Sequence, residues 1–245
     1  MIDIVVLAAG QGKRMGGPIP KALVPVKGRP MVSYVLKALE EAQLNEPVVV
    51  VGYSADSVRK ALGDSFRYAE QTEQLGTGHA VRTGLSAVNE DAQAVIVVYC
   101  DQPLISSETL RALAATHKDT KPAITMATVK VDDFNEWRAP FYDFGRIVRN
   151  AQGSIEKSVE KKDATPEQLA ITELNPCYFC FDKQWLTESL PKLSNTNSQK
   201  EYYLTDLVAF AIKEGKTIAH VTIPAHEALG ANTPEQLMVV EKFLE

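Results

Sequence analysis

The residues best equipped for chemistry open the chain. Leu7-Ala-Ala-Gly-Gln-Gly-Lys-Arg-Met15 is followed closely by Pro20-Lys21. Small residues at Ala8, Ala9, Gly10 and Gly12 let a backbone approach a bulky polyanion, and N–H groups in such a loop can bond phosphate oxygens. Arg14 and Lys21 add positive charge beside it. Spacing excludes two better-known phosphate loops. The dinucleotide fingerprint needs a third glycine where this chain has Met15, and a Walker A loop needs glycine at Leu7 and a hydroxyl residue at Arg14. The plainer reading of the same residues is a tight turn carrying surface charge.

Two more clusters could join that loop. In Gln71-Thr-Glu-Gln-Leu-Gly-Thr-Gly78, Gly76 and Gly78 open a helix, whose first amides favour an anion or a base edge. Gln71 carries both a donor and an acceptor, the equipment for reading a base. An ordinary glycine-opened helix would look the same. Tyr99-Cys100-Asp101 ends an apolar run, and in open α/β sheets ligands sit outside the carboxyl ends of strands. Asp101 could equally cap the next helix. Asn232 offers a second side-chain oxygen, and Asp and Asn oxygens with phosphate and water suit Mg²⁺, which takes few protein ligands. His79, His117, His220 and His226 form no group and read as structural.

The elements that must position these residues alternate in the first half, as a parallel sheet with crossover helices requires. Apolar runs at 2–7, 47–51 and 95–99 read as buried strands. Helices are expected over 31–42, where apolar residues recur every three or four positions, and over 54–62, 78–88 and 109–115. After about residue 120 the style changes. Strands are expected at 123–131, 141–147 and 175–181, separated by charged, loop-rich stretches that extend the sheet and cover the site. The last helix starts with Thr233 as N-cap, Pro234 at the first position and Gln236 completing a capping box.

The composition is that of one ordinary globular unit: 245 residues, 45% hydrophobic and 23% charged. A net charge of −5 argues against binding nucleic acid through bulk charge. No apolar stretch approaches the roughly 20 residues of a membrane span, and the start lacks the basic residue of a signal peptide. Three cysteines make no disulfide framework, and Cys177-x-x-Cys180 has no second ligand pair for zinc. A cytoplasmic protein without membrane or nucleic-acid partners is expected.

Taken together, these pieces resemble the sugar-phosphate nucleotidyltransferase superfamily, and within it the pyrophosphorylase domain of bacterial N-acetylglucosamine-1-phosphate uridylyltransferases. The opening loop with Pro20-Lys21 is the general signature. More specific are Glu73-Gln-Leu-Gly-Thr-Gly-His-Ala80, Phe144-Gly-Arg-Ile147, Val159-Glu-Lys-Lys-Asp-Ala-Thr165, Glu201-Tyr-Tyr-Leu-Thr-Asp206 and Gly230-Ala-Asn232, which spread the likeness over nearly the whole chain.

The resemblance implies a Rossmann-like, three-layer α/β fold with a mixed, mostly parallel sheet. It also implies a single nucleotidyltransferase domain over 1–245, with a nucleotide-binding half (1–120) and a sugar- and metal-binding half (121–245). It assigns Leu7, Ala8, Ala9, Gly10, Gly12, Gln71, Gly76 and Thr77 to the nucleotide, and Arg14 and Lys21 to catalysis on its phosphates. Tyr99, Gly145, Glu160 and Asn175 would line the sugar pocket, and Asp101 and Asn232 would hold Mg²⁺. The implied reaction moves a uridylyl group from UTP to N-acetylglucosamine 1-phosphate. The alternatives are another nucleotide and sugar-phosphate pair (UTP or dTTP with glucose 1-phosphate, or CTP with another alcohol phosphate) and, outside enzymes, a nucleotide-binding regulatory module. The chain departs from the family at Cys100, where glycine is usual, and at Pro176-Cys177, where Thr-Gly is usual. The bifunctional bacterial enzymes continue into a left-handed β-helix that transfers acetyl groups and forms their trimer. No hexapeptide repeat of that kind is present. The expectation is therefore a naturally monofunctional enzyme or part of a longer one, monomeric or weakly oligomeric, needing an already acetylated sugar phosphate.

Overall fold

Runs such as Val48-Val-Val-Val51 and Val95-Ile-Val-Val98 have no polar side to turn to water, so they can be buried only in a sheet covered on both faces. The computed structural model describes residues 1–197 and 199–244 and places them so. Strand β1 (Ile2–Leu7) leads through the glycine loop to a small hairpin, β2 (Pro25–Val26) with β3 (Arg29–Pro30), and then to α1 (Met31–Glu41). The first half continues as β4 (Val48–Val51), α2 (Ala55–Leu62), β5 (Arg67–Glu70), α3 (Thr77–Leu85), β6 (Ala94–Tyr99) and α4 (Ser107–Thr120). The second half comprises β7 (Ile124–Lys130), β8 (Gly145–Arg149), β9 (Ile155–Val159), α5 (Pro166–Leu169), β10 (Glu173–Asn175), β11 (Phe179–Asp182), α6 (Lys183–Ser189), α7 (Asp206–Lys213), β12 (Ile218–Ile223) and α8 (Pro234–Glu241).

The main sheet runs β5-β4-β1-β6-β11-β7-β10-β8-β9, with β12 paired to β7. Its first four strands are parallel, which puts the ends of β1, β4, β5 and β6 on one rim. Alternate side chains separate two cores. Ile4 and Val6 pack with α1 and α4, while Val5 and Leu7 pack with α3 and α7. Each such aliphatic side chain, fully buried, contributes roughly 1.5–3 kcal/mol. This is a three-layer α/β architecture with a mixed sheet.

The second half differs from a mostly parallel sheet. Strand β11 is antiparallel to β6 and β7, and β10, β8 and β9 also pair antiparallel. The expected strand over 175–181 is two strands. Pro176 has no N–H to give a ladder, and Cys177 sits at φ 68, in the left-handed region, so the chain bends between them. Strand β11 stays between β6 and β7, while β10 leaves with β8 and β9. The bend also removes Cys177 from the strand of Cys180. The expected strand over 141–147 is likewise corrected: Phe141 lies in a 3₁₀ turn, Glu136–Asp143, and pairing begins at Gly145. Arg146 is fully buried there, donating to the carbonyls of Tyr142 (3.0 Å) and Leu169 (3.4 Å), with its guanidinium over the rings of Phe134 and Tyr142. No helix among the described residues is long and apolar enough to cross a membrane.

Candidate active site

The glycine loop leaves the sheet at the carboxyl end of β1. Leu7 is buried in the core, its carbonyl accepts from Cys100 N–H (3.1 Å), and the Ala8 N–H donates to the Val50 carbonyl (2.9 Å). These two residues therefore shape the loop, and any ligand-facing amides lie further along it. The Ala9 carbonyl accepts from Tyr53 N–H (3.0 Å), which draws the loop toward β4. At Gly10 a Cβ would meet no atom within 4 Å, so that face is open. Gly12 has φ +69, and a Cβ there would lie 3.0 Å from the Lys21 Cβ. The Lys21 N–H returns to the Gly10 carbonyl (3.3 Å), folding the second basic residue back over the first loop.

That fold-back brings four expected residues together. The Lys21 ammonium forms an ion pair with Asp101 Oδ2 and donates to Asn232 Oδ1 at 2.6 Å. Arg14 Nη2 donates to the same Asn232 oxygen at 3.1 Å. Asp101 lies in the turn after β6, and its carbonyl accepts from Ala231 N–H (2.8 Å), tying it to the segment that carries Asn232. Asn232 is held in turn by α8. Thr233 caps that helix by accepting from Gln236 N–H (3.3 Å), as expected. The Gln236 side chain, however, reaches past the N-cap to the Asn232 N–H (2.8 Å). The first turn of α8 thus fixes the site residue that precedes its cap.

Two cations face one carboxylate, an excess of positive charge suited to phosphate. The Asp101 and Asn232 oxygens already converge on one ammonium, so they are placed to share one cation. A carboxylate and an amide oxygen fit Mg²⁺, which completes its shell with water and substrate phosphate. Among the described residues no group of three or more His, Cys, Asp or Glu could hold a metal alone, and this donor set does not require one.

Asp101 and Asn232 also line a cavity of about 220 Å³, and Tyr99, Gly145, Glu160 and Asn175 form part of its wall. All four residues expected at the sugar are in it. Asn175 is a bracket more than a free hand: its Nδ2 donates to Ser158 Oγ (3.1 Å) and its Oδ1 accepts from Cys177 N–H (2.8 Å), closing the bend at Pro176. Burial, with the nearby charge of Asp206, pushes the Glu160 carboxyl above its ordinary range. A larger cavity, about 930 Å³, opens at the other end of the sheet around Met1, Leu44, Ala94 and His117. None of the motif residues lines it, and it lies at the amino ends of β1 and β6, the end where α/β sheets do not bind ligands.

The second glycine segment is more closed than its sequence suggests. Gly78 N–H donates to the Tyr202 carbonyl (2.8 Å), Tyr202 N–H donates to the Leu75 carbonyl (2.8 Å), and Thr77 Oγ1 accepts from Leu204 N–H (3.0 Å). The 201–206 segment thus docks on the start of α3 and takes up the Gly78 amide that was expected to face a ligand. Gly76 explains the glycine: φ is +104, and a Cβ would lie 2.8 Å from both Glu201 Cβ and the Tyr202 carbonyl oxygen. Two residues not expected at the site also reach this region. His79 bonds Gln71, and Gln102 lines the smaller cavity with its Oε1 buried and unpartnered. The loop position of Gln102 beside Asp101 was its only signal.

Comparison with known proteins gives the family. The MobA-like NTP transferase domain matches residues 4–204. The chain belongs to that family. As a member it is a nucleotidyltransferase. It is 41% identical over 229 residues to the bifunctional protein GlmU of Exiguobacterium sibiricum, covering 93% of this chain and 49% of that protein. It is 38% identical over 242 residues to GlmU of Bacillus licheniformis, covering 98% and 52% respectively. The chain therefore spans about half the length of these curated relatives. Among solved structures, a UDP-glucose pyrophosphorylase complexed with UDP-glucose superposes with a TM-score of 0.79 at 17% identity, covering 99% of this chain and 98% of that one. A putative glucose-1-phosphate thymidylyltransferase from Bacillus anthracis gives a TM-score of 0.78 at 18% identity over 99% and 94%. At such identity these two share the fold.

Proposed function

We propose that the protein transfers a uridylyl group from UTP to N-acetylglucosamine 1-phosphate, with Mg²⁺, giving UDP-N-acetylglucosamine and pyrophosphate. One observation carries the reading: two cations and two oxygen donors, drawn from positions up to 218 residues apart, meet at Asn232 and Asp101 and share both with the cavity of Glu160 and Asn175. The resemblance to GlmU over nearly the whole chain supports the choice of substrates.

The sugar phosphate oxygen attacks the α-phosphorus in line and pyrophosphate leaves. The nucleophile is already ionised at neutral pH, so no general base is needed. What the site must supply is positioning and neutralisation of two polyanions. Arg14 and Lys21 would meet the triphosphate where it follows the glycine loop. Asp101 and Asn232 would hold Mg²⁺, which supplies charge neutralisation and orientation of the phosphates when bound. Residues 1–120 serve the nucleotide and 121–245 the sugar, within one catalytic unit that acts in the cytoplasm as a monomer or weak oligomer.

A second reading within the same chemistry is another sugar 1-phosphate with UTP or dTTP. It is favoured by Pro176 and Cys177, which form part of the cavity wall. Pyrophosphate release across a matrix of nucleotides and sugar 1-phosphates tests both. Release only with unacetylated sugars sinks the first reading, and release with no pair sinks both in favour of a binding module.

A further inference from the structure

Gln71 is the residue equipped to read a base, and an amide can face a base in two ways that select opposite partners. Presented oxygen first, it accepts from a ring N–H, as on uracil, thymine or guanine. Presented nitrogen first, it donates to a ring nitrogen, as on cytosine or adenine. The choice depends on what holds the amide from behind.

Two acceptors hold the nitrogen end. Gln71 Nε2 lies 3.2 Å from the Gly76 carbonyl oxygen and 2.9 Å from His79 Nδ1. The Gly76 carbonyl can only accept, so the NH₂ group must face it. His79 can accept at Nδ1 only in the neutral form that carries its proton on Nε2. The imidazole also has a backbone hydrogen bond with Glu73, and burial with the charge of Arg82 holds its pKa below the ordinary value, so the ring is neutral at physiological pH. The oxygen end is free. Among the described residues, the enclosed side-chain atoms without a partner are Gln102 Oε1 and Ser189 Oγ. Gln71 Oε1 takes no hydrogen bond among the described residues, and the side chain, 3% exposed, sits at the rim where β1 and β5 end. Gly52, between them, would place a Cβ 3.0 Å from both the Ala9 and Gln71 carbonyl oxygens, so this side chain starts directly beside the glycine loop.

We infer that His79 is a positioning residue for nucleobase selection: together with the Gly76 carbonyl it locks the Gln71 amide oxygen-outward, so that the site takes a base with a ring N–H and rejects cytosine. This rests on the proposed nucleotide site but goes beyond it, because it assigns the selection to a side chain that touches Gln71 and not the base. His79 lies on α3 between Gly78 and Ala80, and its ring is needed only as an acceptor.

The test is direct binding of UTP and CTP by titration calorimetry, which reads selection without turnover. The intact protein is expected to bind UTP at least tenfold more tightly than CTP. His79→Leu removes one acceptor from the amide and should cut that ratio by about tenfold, through weaker UTP binding. His79→Asn, whose Oδ1 can replace Nδ1, should keep the ratio within about threefold of the original. Thermal melting of both variants separates misfolding from loss of selection, and if the Leu variant does not fold, a folded Asn variant that loses the ratio still overturns the inference. An unchanged ratio in folded His79→Leu, a ratio lost equally in His79→Asn, or no preference in the original protein overturns the inference. The nucleotidyl-transfer reading fails separately, by absence of pyrophosphate release from a protein that still selects UTP.

Discussion

Lys21 Nζ donates to Asn232 Oδ1 at 2.6 Å, joining residues 211 positions apart, and pairs with Asp101 through the same ammonium. The glycine loop, the end of β6 and the start of α8 are thereby closed into one site. The lysine is 13% exposed and the aspartate 20%, so water screens this contact less than it would a surface pair.

Lys21→Met is expected to lower kcat/KM for nucleotidyl transfer by at least 100-fold, the scale of losing one positioned charge at a reacting phosphate. Stability should change little, because the aliphatic stem remains and Asp101, 20% exposed, keeps its access to water. Steady-state kinetics with a thermal melt checks both. A variant within tenfold of the original activity would remove Lys21 from the mechanism.

Glu160 should trade stability for function. Its carboxyl is raised by burial, so ionising it in the folded protein opposes folding. That penalty sets in as pH rises above the unfolded value of about 4.3 and is fully present once pH exceeds the raised folded value. Glu160→Gln is expected to melt about 2 °C higher at pH 8, on the order of 1 kcal/mol, while raising KM for the sugar phosphate several-fold. A lower melting temperature, or an unchanged KM, would show that the charge serves neither role.

Glu173 has the opposite sign. Hydrogen bonds from Arg149 (2.8 and 2.6 Å) hold its carboxyl below the usual range, so its stabilisation is present above about pH 4.3 and is lost as pH falls through the depressed folded value. Glu173→Gln should cost about 1 kcal/mol at pH 7, and the difference from the original protein should shrink as pH falls below about 4.3. Urea unfolding across that range measures it. A cost independent of pH would assign the effect to packing.

Asp3 is fully buried in β1, where Arg67 chelates it at 2.8 and 3.0 Å and the Asn89 N–H donates at 2.8 Å. Arg67→Met leaves that carboxylate without its cation and should cost about 3–5 kcal/mol. The double variant Asp3→Leu with Arg67→Met should recover part of the loss. Denaturant midpoints decide, and a double variant weaker than the single would reverse the assignment.

Much of the first half was legible because its strands are unbroken apolar runs and its loop residues are small, charged or both. The polar strands were not. Arg67–Glu70 buries only Ala69, and Ile155–Val159 has no buried residue, so neither shows an apolar face to read. The site's members were legible one by one through their motifs, whereas their bonds were not. Nothing local in Gln236 says that its amide passes Thr233 to hold Asn232, and nothing in His79 says that its ring meets Gln71. The break at Pro176 was visible as a proline, yet the apolar run Cys177-Tyr-Phe-Cys-Phe181 after it favoured one continuous strand.

The centre formed by Arg14, Lys21, Asp101 and Asn232 is tested most directly by pyrophosphate release from UTP and N-acetylglucosamine 1-phosphate, comparing the original protein with Asp101→Ala. The original protein should turn over with Mg²⁺ and stop with excess chelator. Asp101→Ala should fold, as judged by an unchanged circular dichroism spectrum, and lose at least 1,000-fold in turnover. Turnover by Asp101→Ala near the original rate, or turnover that ignores the chelator, would contradict the site.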